Sequence, residues 1–434
     1  MYQRQALPDR GDGAVATRAI RAGTCILRSD PVVAVPLDMA ITCAYCFAPG
    51  ARRCGLCKVF HYCSRQCQLA DWAVHSAECK YLAKHLHENP ITPTLLMAVR
   101  FLRNPSAMNA VSHLVSNVQS HLPSQREDYR TMSMLVMSVL TAMKSSNLPS
   151  IEAIMALFAQ FNCNAFTLCT LQQVPVGIGM FPDAALLNHS CAPNCILTFH
   201  KRQLQIRTIR DVSPGEELTI SYIELMSSHT TRQEELLASY FFTCKCSRCL
   251  APEPPDLTAT LTSDDVDSME LQIDHFLAQA DKFEHAHDTR RAVDCRHRAL
   301  LLAQSIYHPR NAKLTLPSET LANLITSSEH ASSQTVQDVA VAIECYATVM
   351  ANQRWLYDSM GLQAFTGLVA LKSAQLLLRQ AKPATFENAL TLARDACRFL
   401  SITHGEDCHV MDNALAVLHV IQHVQHENGS TKAR

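Results

Sequence analysis

The stretch from Cys43 to Cys79 limits this chain more than any other feature. It reads Cys43-x2-Cys46, Cys54-x2-Cys57, Cys63-x3-Cys67 and His75-x3-Cys79, an array of seven cysteines and one of the two histidines within 37 residues. Two residues between thiolates let one turn present both sulfurs to a single tetrahedral ion. A gap of three puts two ligands on adjacent turns of a helix. Eight ligands make two closed zinc sites, structural ones, because no position is left for water or substrate. Residues 43–79 therefore need metal to fold. A redox array would account for the thiols but not for His75.

The rest of the composition narrows the setting. A chain of 434 residues has room for about three domains of roughly 150 residues each. Lys and Arg number 38 against 39 Asp and Glu, a net charge of -1, which argues against a protein built to neutralise a phosphate backbone. No apolar run approaches the roughly 18 residues that span a bilayer, and Met1–Arg10 is polar, without a signal-peptide core. The expectation is an intracellular monomer, in the cytoplasm or the nucleus, with no membrane contact. Its 19 cysteines then point to metal rather than disulfides.

Along the chain, residues 1–40 read as β-rich, with a turn at Arg10-Gly11-Asp12-Gly13 and short strands at Cys25-Ile26-Leu27 and Val32–Val35. From about residue 92 to 160 the period turns helical. Leu95, Leu96, Val99 and Leu102 share one face, as do Met134, Leu135, Val139 and Met143. Strands return at Ile196–Phe199, Leu204–Ile206 and Leu218–Ile220, with a turn at Pro214-Gly215. Ala251–Pro255 reads as a linker, and residues 265–425 as helical throughout. Two helix ends there echo each other, Ser305-Ile306-Tyr307-His308 and Ser401-Ile402-Thr403-His404. Their offset is 96 residues, close to three units of about 32, near the tetratricopeptide period.

Two further segments are rich in groups that packing does not require. Asn188-His189-Ser190-Cys191-Ala192-Pro193-Asn194 sets amide, imidazole, hydroxyl and thiol groups directly after Ala184–Leu187, and such groups are costly to bury without partners. Gly215-Glu216-Glu217-Leu218-Thr219-Ile220-Ser221-Tyr222 is a turn feeding a strand that ends in tyrosine. A second cysteine cluster follows, Cys244-x-Cys246-x2-Cys249.

The 43–79 array, with Tyr62 and Trp72, resembles the MYND zinc finger. That family's cross-brace implies Cys43, Cys46, Cys63 and Cys67 on one ion and Cys54, Cys57, His75 and Cys79 on the other. The early Gly11-x-Gly13, the NHSCxPN and GEELTISY segments and the late cysteine triplet together resemble the SET domain. Their order, with the finger inserted after the first strands and a helical carboxyl half, resembles the SET- and MYND-domain (SMYD) protein-lysine methyltransferases. The fold implied is α+β: a β-rich SET core with an inserted MYND zinc finger and a helical insert, a post-SET zinc site, and an all-α tetratricopeptide-like carboxyl-terminal domain. The expected parts are the first SET strands (1–42), the finger (43–79), the helical insert (80–163), the SET core (164–230), the post-SET zinc segment (231–250) and the helical domain (251–434).

The resemblance also assigns roles. S-adenosyl-L-methionine would be held by Arg10, Gly11, Asp12, Asn164, Asn188, His189, Tyr222 and Phe242, with Phe242 against the adenine. Tyr222 would be the catalytic tyrosine, and Phe166, Tyr222 and Tyr240 would wall a lysine channel. The family takes a fourth ligand for the triplet from the NHSC cysteine, so Cys191 would join Cys244, Cys246 and Cys249 on a third zinc ion. Asp12, Thr24 and Ala165 depart from residues frequent in the family, and Asp12 would stand near the cofactor carboxylate. The chemistry suits the residue types. A lysine amine, of pKa near ~10.4, must lose its proton before attacking, and a neighbouring sulfonium and an apolar channel both disfavour the ammonium form.

The implied partners are a protein substrate carrying the target lysine and a proline-rich peptide on the finger. Nucleic acid is not expected there. Residues 43–84 carry six Lys and Arg against Asp71 and Glu78, and seven thiolates with two Zn²⁺ cancel most of that excess. The alternative reading is an adaptor with a catalytically idle SET core, acting through peptide binding. Retention of Tyr222, Asn188 and His189 favours the enzyme.

Overall fold

The computed structural model describes residues 1–85, 91–261, 265–327, 334–380 and 383–432. The chain forms two compact units. One comprises Met1–Asn188, Asn194–Ile220 and Leu236–Thr243, the other His189–Pro193, Ser221–Glu235 and Cys244–Arg434.

The first unit opens with strands β1 (Tyr2–Leu7) and β2 (Gly11–Ala16), then β3 (Cys25–Ser29), β4 (Val33–Pro36), β5 (Arg52–Arg53) and β6 (His61–Tyr62). Helices α1 (Arg65–His85), α2 (Pro93–Leu102), α3 (Pro105–Val111), α4 (Pro123–Ala142) and α5 (Ile151–Asn164) follow. Strands then resume with β7 (Ala165–Cys169), β8 (Pro175–Met180), β9 (Asn188–His189), β10 (Cys195–His200), β11 (Gln203–Thr208) and β12 (Glu217–Ile220). β2 pairs antiparallel with β1 and β12, β11 with β10 and β3, and β8 with β4 and β7. The strands expected at 196–199, 204–206 and 218–220 all form. On β11, Leu204, Ile206 and Thr208 are buried and alternate with half-buried Gln203, Gln205 and Arg207, the period-two pattern of a strand with one face inward.

The helix starts are written locally. Thr92 caps α2 by accepting the Leu95 N–H, with Pro93 in the first turn, and Ser150 caps α5 through the Ala153 N–H. Leu95, Leu96 and Val99 are buried, as the period implies. The face expected on α4 is wrong. Met134 and Leu135 are exposed, and the inward stripe is Ser133, Val136, Val139 and Leu140. Ser133 can take a core position because its hydroxyl donates to the Tyr129 carbonyl at 2.7 Å, which removes the cost of burying it. Finger residues Cys43, Cys54, Phe60 and Tyr62 share one hydrophobic core with Leu82, Leu96, Val99, Phe101, Phe158 and Met180. The finger is thus not a separate bead.

The second unit takes most of α6 (His229–Tyr240), then α7 (Ser247–Leu250) and a helical stack. Its members are α8 (Val266–His285), α9 (Thr289–Ile306), α10 (Ala312–Thr326), α11 (Val336–Asp358), α12 (Gly367–Gln380), α13 (Phe386–Thr403) and α14 (His409–Lys432). Each of these helices packs on the next in sequence, the stacked-hairpin arrangement of tetratricopeptide-like proteins. The repeat period read from sequence is not the structural one. Ser305 ends α9 and Ser401 ends α13, with α10, α11 and α12 between them. The 96-residue echo therefore spans two helix pairs of about 48 residues, longer than the ~34-residue repeat.

Candidate functional site

In the first unit the eight finger ligands fall into the two groups implied by the resemblance. The ligand atoms of Cys43, Cys46, Cys63 and Cys67 lie within 4.8 Å of one another, and so do those of Cys54, Cys57, His75 and Cys79. Within the groups, Cys63 Sγ is 3.5 Å from Cys46 Sγ and 3.4 Å from Cys67 Sγ, and Cys54 Sγ is 3.6 Å from Cys79 Sγ. His75 Nε2 is 3.4 Å from Cys54 Sγ and 3.5 Å from Cys57 Sγ. A disulfide would need about 2.05 Å, whereas a tetrahedral ion with bonds of about 2.3 Å holds sulfurs about 3.8 Å apart. The donor set thus fits a metal ion and not a crosslink. Electrostatics agree. A hydrogen bond with Cys46 draws Cys43 down to about 4, and the same bond pushes Cys46 up. Neighbouring thiols therefore oppose joint ionisation, and a cation would relieve that opposition.

The second unit assembles a third group. Cys191, Cys244, Cys246 and Cys249 also present ligand atoms within 4.8 Å of one another, with Cys191 Sγ 3.5 Å from Cys249 Sγ. Its scaffold was not read from the sequence. Gln233 on α6 accepts the Cys244 N–H at 2.8 Å and donates to the Cys244 carbonyl at 2.9 Å, clamping that residue's backbone. Arg248 donates to the Cys191 and Leu225 carbonyls. Buried Arg232 donates to the Ser227 carbonyl and to Glu253.

His189 ties this group to Tyr222. Its Nδ1 accepts the Tyr222 N–H at 3.0 Å, and its Nε2 lies 3.2 Å from Cys191 Sγ. A ring that accepts at Nδ1 carries its proton on Nε2, so Nε2 donates to the sulfur. The two rings, His189 and Tyr222, are 5.4 Å apart.

The remaining expected cofactor residues lie in the first unit. The β1–β2 turn is Pro8–Arg10, earlier than the Arg10–Gly13 turn expected from sequence; Gly11 and Asp12 open β2, where Gly11 takes φ +69°, a left-handed conformation that favours glycine. Arg10 Nη1 donates to Glu217 at 2.6 Å, and Asn188 Nδ2 donates to Glu217 at 2.9 Å and to the Asp12 carbonyl at 3.1 Å. A Cβ on Gly13 would stand 2.9 Å from Glu217 Oε1 and 3.0 Å from Asn188 Nδ2, so the turn closes on these side chains only without one. Asp12 is met by Arg4 from β1 at 2.6 Å. Asn194 is buried. It accepts the Thr219 N–H and donates to the Glu217 carbonyl, each at 2.8 Å. Glu217 and Asn194 stand inside the quoted segments, yet their joining roles carry no sequence signal.

Asn164, the last residue of α5, donates to the Val115 and Gln160 carbonyls. Phe166 on β7 meets Phe181 edge-on at 5.8 Å. Tyr240 ends α6, and Phe242 follows Phe241, which takes φ +63° and packs edge-on against His121 at 4.6 Å. Asn162 donates to the Ser239 carbonyl at 2.8 Å, tying α5 to the end of α6.

Residues 11–223 match the family model of the SET domain. Three relatives that the chain resembles are methyltransferases by name. It is 34% identical over 263 residues to the histone-lysine N-methyltransferase ASHR1 of Arabidopsis thaliana, covering 56% of this chain and 54% of that one. It is 34% identical over 257 residues to the human histone-lysine N-methyltransferase SMYD3, covering 56% and 60%. It is 33% identical over 262 residues to the N-lysine methyltransferase SMYD2 of Bos taurus, covering 57% and 60%. The chain thus spans between half and two thirds of the length of these relatives. Among the described residues, no helix is long and apolar enough to cross a membrane.

Proposed function

We propose that this protein is an S-adenosylmethionine-dependent protein-lysine N-methyltransferase. The observation that carries the reading is the double engagement of His189, which holds the Tyr222 backbone N–H at 3.0 Å and the Cys191 sulfur at 3.2 Å. A tyrosine needed only for packing has no use for an imidazole that fixes its backbone to a metal-ligand group. The names of the relatives support the same class of activity.

Bound S-adenosylmethionine would supply the activated methyl group. Arg10, Gly11 and Asp12 receive its amino-acid end, with the Asp12 charge compensated by Arg4. Asn188, His189 and Asn164 contact it as well. Both ring nitrogens of His189 are engaged within the protein, so its contact comes through the backbone. Phe242 covers the adenine. Tyr222 orients the lysine amine in line with the methyl group, and Phe166 and Tyr240 keep water from the lysine side chain. An apolar aromatic wall favours the neutral amine, and alignment supplies most of the acceleration.

The three ligand groups would each hold a zinc ion in a structural role, with none needed at the reacting centre. On the finger, Arg52, Ser64, Arg65, Gln68, Leu69 and Trp72 line a shallow groove, and the exposed Trp72 and Leu69 offer apolar anchors for a proline-rich peptide. The substrate is a protein bearing the target lysine, in the cytoplasm or the nucleus.

The test is transfer of tritium from labelled S-adenosylmethionine to proteins of a mixed extract. Label appearing with wild-type protein and lost with Tyr222→Phe is the expected result. An extract left unlabelled, by a protein that still binds a proline-rich peptide, would establish the idle-adaptor reading instead.

A further inference from the structure

Two buried residues outside the ligand sets connect the finger to a sheet of the SET core. Glu78 lies on α1, three residues after His75 and one before Cys79. His75 Nε2 faces the sulfurs of Cys54 and Cys57, while its Nδ1 is buried, makes no hydrogen bond and lies 3.5 Å from Glu78 Oε1. Once Nε2 is on a metal ion, the ring proton must sit on Nδ1, and Glu78 is the acceptor in position. A carboxylate there fixes the tautomer and orientation of the ring and raises its basicity as a ligand.

Glu78 is itself held. Arg100 Nη2 meets Glu78 Oε1 at 2.5 Å, and Arg100 Nε lies 3.2 Å from each oxygen. Both side chains are about 4% exposed. Arg100 is the lone charge in α2, Pro93–Leu102, whose other residues are apolar apart from Thr94 near its start. A buried charge on such a helix is tolerated only when paired and fully bonded. Its remaining nitrogen, Nη1, donates to the Ala34 carbonyl on β4 at 3.1 Å. Its guanidinium also lies 5.1 Å from the Phe60 ring centre, and Phe60 packs edge-on against His75 at 5.0 Å. The arginine thus touches the ligand histidine by two routes and the core strand by one.

The strand it touches leads to Phe166. Ala34 pairs with Gly179 on β8, and Gly179 pairs with Phe166 on β7. The sheet is tight at that point. A Cβ on Gly179 would stand 2.9 Å from Ala34 Cβ and 3.1 Å from Leu168 Cδ1, so a shift of β4 cannot be absorbed locally.

We propose that Glu78 and Arg100 are positioning residues that orient His75 on its metal ion and couple occupancy of that site to the β4–β8–β7 sheet bearing Phe166. The inference rests on the zinc reading above and extends it, making the finger's second metal a structural member of the SET core.

The test uses the full chain. Wild-type protein, Glu78→Gln, and the double variant Glu78→Met with Arg100→Met are loaded with zinc and challenged with a chromophoric chelator. Hydrogen exchange of β4 and β8 peptides is followed before and after chelation. Arg100→Met alone would leave Glu78 and Asp71, the latter 3.9 Å from Arg100 Nη2, buried without a cation and can unfold the protein, whereas the double variant removes Glu78 with its partner and leaves Asp71 the Tyr62 hydroxyl that donates to it at 2.8 Å. In wild type, three ions leave at rates set by their sites. In Glu78→Gln and in the double variant, one ion of three leaves about 10–100-fold faster, and the other two leave at wild-type rates. Chelation raises exchange in β4 and β8 of wild type. In the double variant β4 and β8 no longer respond, because the link is cut. With cobalt in place of zinc, Glu78→Gln shifts the visible band of the three-cysteine, one-histidine site only. Unchanged release of all three ions in both variants overturns the positioning role. A β4 and β8 response that persists in the double variant overturns the coupling. Wild-type protein that binds fewer than three ions, with none lost on Cys54→Ala, overturns the zinc reading instead.

Discussion

The finger's two ligand groups are near-copies in spacing and differ in setting: both put their first two thiols into the shared core, but only one is buried throughout. Cys54, Cys57, His75 and Cys79 are all buried, and their histidine is backed by Glu78 and Arg100. In the other group Cys63 is exposed and Cys67 half-exposed. Spacing therefore marks both groups alike as fit for a metal ion, while their surroundings differ in what loss of an ion would cost. A closed zinc site contributes about 10–16 kcal/mol of apparent folding free energy at neutral pH, comparable to the ~5–15 kcal/mol by which a whole domain is stable. Where the site shares the domain core, that energy belongs to the domain.

The sharpest way to break this comparison is to delete one thiol from each group. Cys54→Ala is expected to abolish methyl transfer and the cooperative thermal transition of the first unit. Cys63→Ala, at the exposed thiol of the other group, loses one zinc, keeps the transition and retains most transfer to a free peptide, while binding of a proline-rich partner falls. Equal damage from both, read by calorimetry and metal analysis, would end the distinction drawn from burial.

The third group provides a different contrast, between holding a metal and doing chemistry. Tyr222→Phe removes one hydroxyl and leaves the His189 bond to the backbone N–H in place. Turnover is expected to fall about 10²-fold or more, the scale of losing one positioned polar group at a reacting centre. Zinc content should stay at wild-type level and cofactor binding should change far less. Cys191→Ser should remove one zinc, keep both finger ions and weaken S-adenosylmethionine binding about tenfold. Ordering a released segment costs roughly 1–2 kcal/mol per residue, and Phe242 lies two residues before Cys244. A serine variant with three ions and normal cofactor affinity would show that Cys191 is a buried thiol and not a clamp.

Sequence and structure part company along the same line. The structure gathers all twelve expected residues into three groups; spacing marked eleven of them, while Cys191 joined the late triplet only through the family resemblance, and the strands at 196–199, 204–206 and 218–220 followed from their apolar runs. Glu78 was not legible: a glutamate between two ligands on a polar helix reads as a solvated charge. Arg100 left a trace, the one charge in PTLLMAVRFL, but its partner lies 22 residues earlier, on another helix. The α4 face was misread because Ser133 takes a core position that apolar counting gives to its neighbours Met134 and Leu135. The joining roles of Asn194 and Glu217 depend on pairing between segments about 25 residues apart, which no local period records.

The smallest expected effect sets two arginine–carboxylate pairs side by side. Arg100 meets Glu78 at 2.5 Å and Arg4 meets Asp12 at 2.6 Å, nearly the same distance. The first pair is buried. The second is 54% and 42% exposed on the β1–β2 hairpin, where water and salt screen it and such pairs contribute about 0–1 kcal/mol. Arg4→Ala should therefore leave folding and metal content unchanged. Its effect falls on the cofactor, because the uncompensated Asp12 charge would then face the cofactor carboxylate. Affinity for S-adenosylmethionine should drop no more than about fivefold at low salt, within that 0–1 kcal/mol range, and the deficit should shrink as ionic strength rises and the Debye length falls toward ~8 Å. Asp12→Asn in the Arg4→Ala background should restore wild-type affinity. A deficit that salt does not reduce, or that Asp12→Asn does not repair, would mean Arg4 shapes the turn by contact and not by charge.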